Sequence, residues 1–480
     1  KEMISVLGDA MAINPFTGSQ RQLLHPAEVA AFQKSGTLIM DDRRRRPLWF
    51  DGRFLAGSDL EREQNYFLTR ISDLRRAAGF GVMSGLNVSQ VITPRSIRGI
   101  DTISIGQGEG VTPQGELVSI PSDIEISLAD IGGEQHLNAA FGLSRIPARP
   151  ANTRSGLFVL GLRPVEFSTN PIASYPTTVN GTRSTQDGDT AEASAIVLIQ
   201  YPDSGTQNEL DIRRSRVARE IFVTQTSRSA ADDVLPLAMI GMNQGFIQWI
   251  DPWMVRREIG SDQLLLTLNS SVRATRRSYL LQYENQLQEI VTQRGAQGAS
   301  FAATDFFSAL PPIGRMPAAA IDATQFTQKF FPQDMDVVLS LVPQDELPAL
   351  IEQSLSLPPI DLAAPTSTLA AISVFVLVAV SRADYAKNHA TLGTPQLPPS
   401  VPVDPVRRLP IDALLLNRAM LTSGSSLLTR IGSRIILPPI RPPQTTGGTS
   451  DTTWASVLAN QSFLWFVRRR SVPQAVAIGS

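Results

Sequence analysis

From Ser58 to Ala78 apolar side chains recur at helical spacing. At about 100° per residue, Leu60, Phe67, Ile71, Leu74 and Ala78 form one stripe, with Arg62, Thr69, Asp73 and Arg76 opposite. Ser58 and Glu61 have the spacing of a capping box, in which hydroxyl and carboxylate each satisfy a free backbone donor. Gly79 supplies the stop. The stripe predicts a helix that faces a core. Glu63 borders it and Gln64 falls inside it, so the amide is expected to be buried and to organise a neighbouring loop, because buried polar groups need partners.

The period then changes to two. Val82–Val88, Ile103–Ile105, Glu116–Ile120 and Ile124–Leu128 alternate apolar and polar residues between Gly and Pro breaks, with Thr112-Pro113-Gln114-Gly115 as a turn. Gly79, Gly81 and Gly85 are read as turn geometry in this antiparallel module. Further strands are predicted at Leu157–Leu162 and Ala195–Tyr201, on either side of a long exposed loop over 168–194. A hairpin is expected around Asn243-Gln244-Gly245. Residues 262–294 read as one long helix that links two domains.

Beyond residue 300 the chain repeats. Leu310-Pro311-Pro312-Ile313 recurs at Leu357, Leu397 and Leu437, and the runs Val337–Val342 and Val374–Val380 each precede an acidic helix start. Two related αβ units follow from this, with a third, more helical copy over about 401–436 that lacks the strand. A Pro, Gly, Ser and Thr linker over 442–453 precedes an aromatic and basic tail: Trp454, Phe463, Trp465, Phe466, Arg468, Arg469 and Arg470. Aromatic residues and Arg dominate interface energetics, so the tail is expected to dock on another subunit.

Composition narrows the chemistry. The 480 residues carry a net charge of −1, no Cys and three His, and the three (His25, His136, His389) are not spaced as a metal set. Zinc and thiol chemistry are excluded on these grounds, and no metal or cofactor site is expected. Gly79–Gly85 runs from helix to strand, the reverse of a phosphate-binding glycine turn. No nucleophile elbow or phosphate loop occurs, so no catalytic residue is assigned and the chain is expected not to be an enzyme. Arg43 to Arg46 are too few charges for nucleic-acid binding. The longest apolar run, Leu369–Val380, is too short to span a membrane.

Phe50-Asp51-Gly52-Arg53-Phe54-Leu55, Asp59-Leu60, Glu63-Gln64, Tyr66, Arg70, Gly79, Gly81-Val82, Gly85-Leu86 and Val88 together resemble an N-terminal module of phage-tail-like proteins from contractile injection systems. Leu235–Ile240, Ile250-Asp251 and the long helix after them look, more weakly, like the type VI secretion baseplate adaptor. The resemblance implies a baseplate or tail-associated scaffold that links the tail base to fibres or anchoring subunits. It would act as a homo- or hetero-oligomer among other baseplate or tail subunits, in the bacterial cytoplasm and then in a tail-like particle. A receptor-binding or adhesin-like appendage of the same particle, and an unrelated multi-subunit scaffold, are the alternatives.

The expected fold class is α+β: a β-rich N-terminal module with one capped helix, a long linking helix and C-terminal αβ repeat units. The boundaries are an arm over 1–47, a β-rich shell-like domain over 48–260, the linking helix over 261–297, the repeat domain over 298–441, and the linker and docking tail over 442–480.

Overall fold

The computed structural model describes residues 25–38, 41, 45–91, 102–131, 154–175, 184–203, 209–226, 232–259, 270–294, 300–333, 335–392, 407–408 and 449–469. The fold is mixed α+β. The chain divides into two compact units between Leu74 and Arg75.

In the first unit, helix α1 (Pro26–Ser35) starts with a capping box that the sequence reading missed. His25 Nδ1 accepts from the Ala27 amide, and Glu28 Oε2 accepts from the His25 amide at 2.8 Å. Gly36, in the left-handed region, ends the helix. Helix α2 (Gly57–Ala78) starts earlier than its predicted cap: the Ala56 carbonyl accepts from the amides of Asp59 and Leu60. Ser58 and Glu61 therefore lie inside the first turns, and the Ser58 capping box is corrected.

The second unit opens with small antiparallel sheets. Strands β1 (Gly81–Gly85), β4 (Gly108–Val111) and β5 (Leu117–Ile120) form one, in the order β1-β4-β5. Strands β2 (Val88–Val91), β3 (Thr102–Ile105) and β6 (Ile124–Ser127) form the other, in the order β2-β3-β6. Gly85 shows why glycine is required between them: its φ is +58°, and an added Cβ would lie 1.8 Å from the Gln107 carbonyl oxygen.

A four-stranded sheet follows, ordered β10-β9-β7-β8, from β7 (Gly156–Ser174), β8 (Ser184–Gln200), β9 (Leu235–Asn243) and β10 (Phe246–Asp251). Strand alternation buries both of its faces. Phe158, Leu160 and Leu162 pack with Val82, Leu86 and Ile103 of the small sheets. Leu157 and Val159 face the other way, against Val217, Ile221 and Phe222 of helix α3 (Leu210–Phe222) and against Tyr279. The β9–β10 hairpin turns as predicted, with Gln244 and Gly245 both at positive φ.

Helix α4 (Ser270–Arg294) carries the packing onward within this unit. Its Tyr279 stacks on Phe222 at 4.5 Å, while Tyr283, Leu287 and Ile290 enter the C-terminal core. The short strands β11 (Ala309–Leu310), β13 (Ile321–Asp322), β14 (Thr327–Gln328) and β16 (Ile360–Asp361) make two small ladders beside that core, β11 with β16 and β13 with β14. Leu310 and Ile360, which flank the Pro-Pro steps of the first two repeat motifs, pair across one of them.

The central sheet runs β12-β19-β17-β15-β18, from β12 (Ile313–Pro317), β15 (Asp336–Pro343), β17 (Ser373–Val380), β18 (Arg407–Arg408) and β19 (Phe463–Arg468). β15 and β17 are the two repeat strands. They pair in parallel over their whole lengths, Asp336 opposite Ser373 and Pro343 opposite Val380. Parallel neighbours need a crossover; helices α5 (Leu347–Ser354) and α6 (Thr366–Ala370) lie on it, and α7 (Arg382–Leu392) follows β17. Strands buried on both faces read as continuous apolar runs. Val337, Leu339 and Leu341 lie in one core and Val338 and Val342 in the other. The third copy, expected to lack a strand, contributes Arg407–Arg408 alongside β15. The motifs at Leu397 and Leu437 lie outside the described residues.

Candidate interaction surfaces

Three features of the fold bear on function. Among the described residues, no three His, Asp or Glu side chains are placed to hold a metal ion. No helix among those residues is long and apolar enough to cross a membrane.

The first feature is the lead-in over 45–56 and helix α2. Arg53 ties the segment together, donating to the Leu48 carbonyl and to Asp59, each at 2.6 Å, while Arg62 also bonds Asp59. Burial alone would raise the Asp59 carboxyl, but the two guanidinium groups outweigh it and hold it below the usual range. Arg46 lies over the Tyr66 ring and Arg53 over Trp49. These contacts all fall on the Asp59–Tyr66 side of α2, which corrects the expected core stripe. Phe67 is 54% exposed, Leu74 72% and Phe54 95%, and Leu60, Ile71 and Gln64 are exposed as well. Gln64 organises no loop, because the lead-in crosses a different face; Glu63 is half-buried. Gly79, at φ +103°, ends the helix, and an added Cβ at Gly81 would meet the Arg257 carbonyl at 2.5 Å.

The second feature replaces the long loop expected over 168–194. β7 and β8 stay paired from Phe158–Gln200 out to Ser174–Ser184, so their outer halves form a two-stranded arm reaching about 30 Å. Ser168 donates to Asp187, and Asn170 donates to Asp189 at 2.8 Å. Polar composition alone concealed the arm, since a ladder built on backbone bonds tolerates polar side chains on both exposed faces.

The third feature is the tail, and it overturns the docking expectation. β19 is an interior strand, antiparallel to β12 on one side and β17 on the other, with Met316 opposite Leu464 and Val376 opposite Phe466. Trp454, on helix α8 (Thr449–Ala459), and Phe466 are buried in this chain's own core, while Phe463 and Trp465 are half-buried. Arg468 donates to the carbonyls of Pro358 and Pro359, and Arg469 lies over Phe375 at 5.7 Å. The aromatic and Arg residues that signal an interface thus serve an internal strand. Arg470 lies outside the described residues.

A buried ion pair joins the β-rich and αβ parts of the second unit, and no sequence signal pointed to it. Arg214, 1% exposed, bonds Asp251, 0% exposed, at 2.6 and 2.9 Å, and also Glu289 at 2.6 Å. Gln282 donates to Asp251, and the Trp249 ring lies 4.7 Å from the guanidinium. Desolvation works against the Arg214 charge, but the two carboxylates outweigh it and raise its pKa. The residues come from α3, β10 and α4, which are far apart in sequence. Arg219 adds a second tie to Asp361 at 2.7 Å.

No known protein family matches the sequence, and no curated protein does. Solved structures give partial likenesses. A chain of the type VI secretion system TssK-TssF-TssG baseplate subcomplex, determined by cryo-electron microscopy, is 14% identical, with 52% of this chain and 72% of that chain covered and a TM-score of 0.21. A chain of the baseplate complex from the type VI secretion system is also 14% identical, covering 52% and 68%, with a TM-score of 0.21. The crystal structure of TssK is 12% identical, covering 53% and 51%, with a TM-score of 0.22. The structural neighbours are therefore type VI secretion baseplate proteins, at a similarity that carries no argument about function.

Proposed function

We propose that this chain is a non-catalytic structural subunit of a contractile injection system baseplate, linking the tail base to fibres or anchoring subunits. The observation that carries the reading is the exposed apolar lead-in, Leu48, Trp49, Phe50, Phe54 and Leu55, continuous with α2. This is the segment whose residues resemble the module of phage-tail-like proteins. A run of exposed large apolar side chains fits a contact with another protein. The second unit, taken by itself, is interlocked by Arg214 and by the interior strand β19. The β7–β8 arm favours a second reading, a receptor-binding appendage on the same particle.

The test is purification of intact tail-like particles from the native host carrying a tagged full-length chain. The chain is expected to co-sediment with sheath and tube proteins. Phe54→Asp, at a side chain with no internal packing, is expected to abolish co-sedimentation while leaving the melting curve of the purified protein unchanged. A chain that stays wholly in the soluble fraction of cells full of particles would overturn the reading.

A further inference from the structure

We infer that helix α2 pairs with the α2 helix of a second copy of this chain, antiparallel, through a short coiled-coil seam. Leu60, Gln64, Phe67, Ile71, Leu74 and Ala78 recur at alternating steps of four and three, the seam spacing of a heptad repeat over a 22-residue helix. Other positions along the helix are covered: Asp59 and Tyr66 meet the lead-in, and Ser72 is buried, while every seam residue is exposed. A seam of this period fits another helix, since its narrow apolar line follows a supercoiled partner and not a flat sheet.

Charge identifies the partner and its direction. The residues flanking the seam are Glu61 and Glu63 in the first half and Arg70 and Arg75 in the second. In a parallel pair Arg70 of each helix would face Arg75 of the other, twice over. In an antiparallel pair Glu61 of each helix faces Arg75 of the other, at both ends. Phe67 then meets Ile71 at the centre, Leu60 meets the small Ala78, and Leu68, 45% exposed on the seam's flank, meets its own copy across the two-fold axis. The layer of Gln64 against Leu74 falls towards the ends, where the amide still reaches water. One contact opposes the arrangement: Arg70 faces Arg70. Asp73, 3.8 Å from Arg70 in the same helix, offsets that repulsion. The two helix dipoles also run head to tail in this orientation. A two-fold pairing of one surface with itself closes after two copies, so the contact makes a dimer and not a filament.

The inference stands apart from the baseplate reading, and its test uses the purified full-length protein alone. The chain has no cysteine, so single substitutions report cleanly. On mild oxidation Leu68→Cys is expected to give a disulfide-linked dimer, and Gln64→Cys is not. By sedimentation, Arg75→Glu and Glu61→Arg should each self-associate about tenfold more weakly than the parent, the order expected when two exposed pairs turn from attractive to repulsive. An equimolar mixture of the two variants should recover the parent affinity. Circular dichroism checks that these exposed substitutions leave the fold intact. A protein that stays monomeric at every concentration with Leu68→Cys unlinked would overturn the inference. So would ready linking of Gln64→Cys, or an Arg75→Glu variant that associates more tightly, since both mark a parallel pair.

Discussion

At the residue scale, Arg214 and Gly85 show how far single positions decide this fold. Truncating one partner of a buried ion pair leaves the other charged and unsolvated, which costs about 3–5 kcal/mol. Arg214→Ala is therefore expected to destabilise the second unit by that order in a denaturant titration, because Asp251 keeps no exposure to water. A double variant, Arg214→Met with Asp251→Leu, should recover part of the loss. Gly85→Ala should lower the melting temperature by several degrees, since both the left-handed backbone and the 1.8 Å approach to Gln107 exclude a Cβ. At concentrations low enough to keep the chain monomeric, Leu74→Glu is expected to leave the melting curve unchanged, its side chain being 72% exposed. A large loss there would restore the core stripe that the sequence pattern predicts.

At the scale of elements, spacing in the sequence reveals which residues share a face but not what covers that face. The stripe on α2 was legible as Leu60, Phe67, Ile71 and Leu74; its exposure was not, because coverage depends on where Arg46 and Arg53 lead the preceding segment. β15 and β17 were legible as buried strands, since burial on both faces leaves an unbroken apolar run. The role of the tail was not legible, because the same aromatic density serves an interface or an interior strand, and only pairing with β12 and β17 separates the two. Ending the chain at Thr453 is therefore expected to remove an interior strand and give an aggregating protein without a cooperative melt. A soluble, cooperatively melting truncation would reinstate the detached tail. The outer β7–β8 arm has the opposite expectation. Replacing 168–190 with a short turn should leave stability unchanged, because the described side chains of that span, 168–175 and 184–190, are almost all exposed.

At the scale of the whole molecule, the second unit is organised for stiffness. α4 sends Tyr279 into one core and Tyr283 into the next, and the buried Arg214 cluster and the Arg219–Asp361 tie hold α3 to both. The long helix was legible from its apolar spacing, but the Arg214 cluster was not, because Arg214, Asp251 and Glu289 become neighbours only when three distant elements meet. The resemblance of the lead-in and the uncovered surface it carries point the same way, towards a part that works by contact. The most direct measurement of that claim is electron microscopy of intact particles whose full-length chain carries a gold-labelled affinity tag. Gold confined to the baseplate end of extended and contracted particles is the predicted result; gold along the sheath, at fibre tips or absent from particles would contradict it.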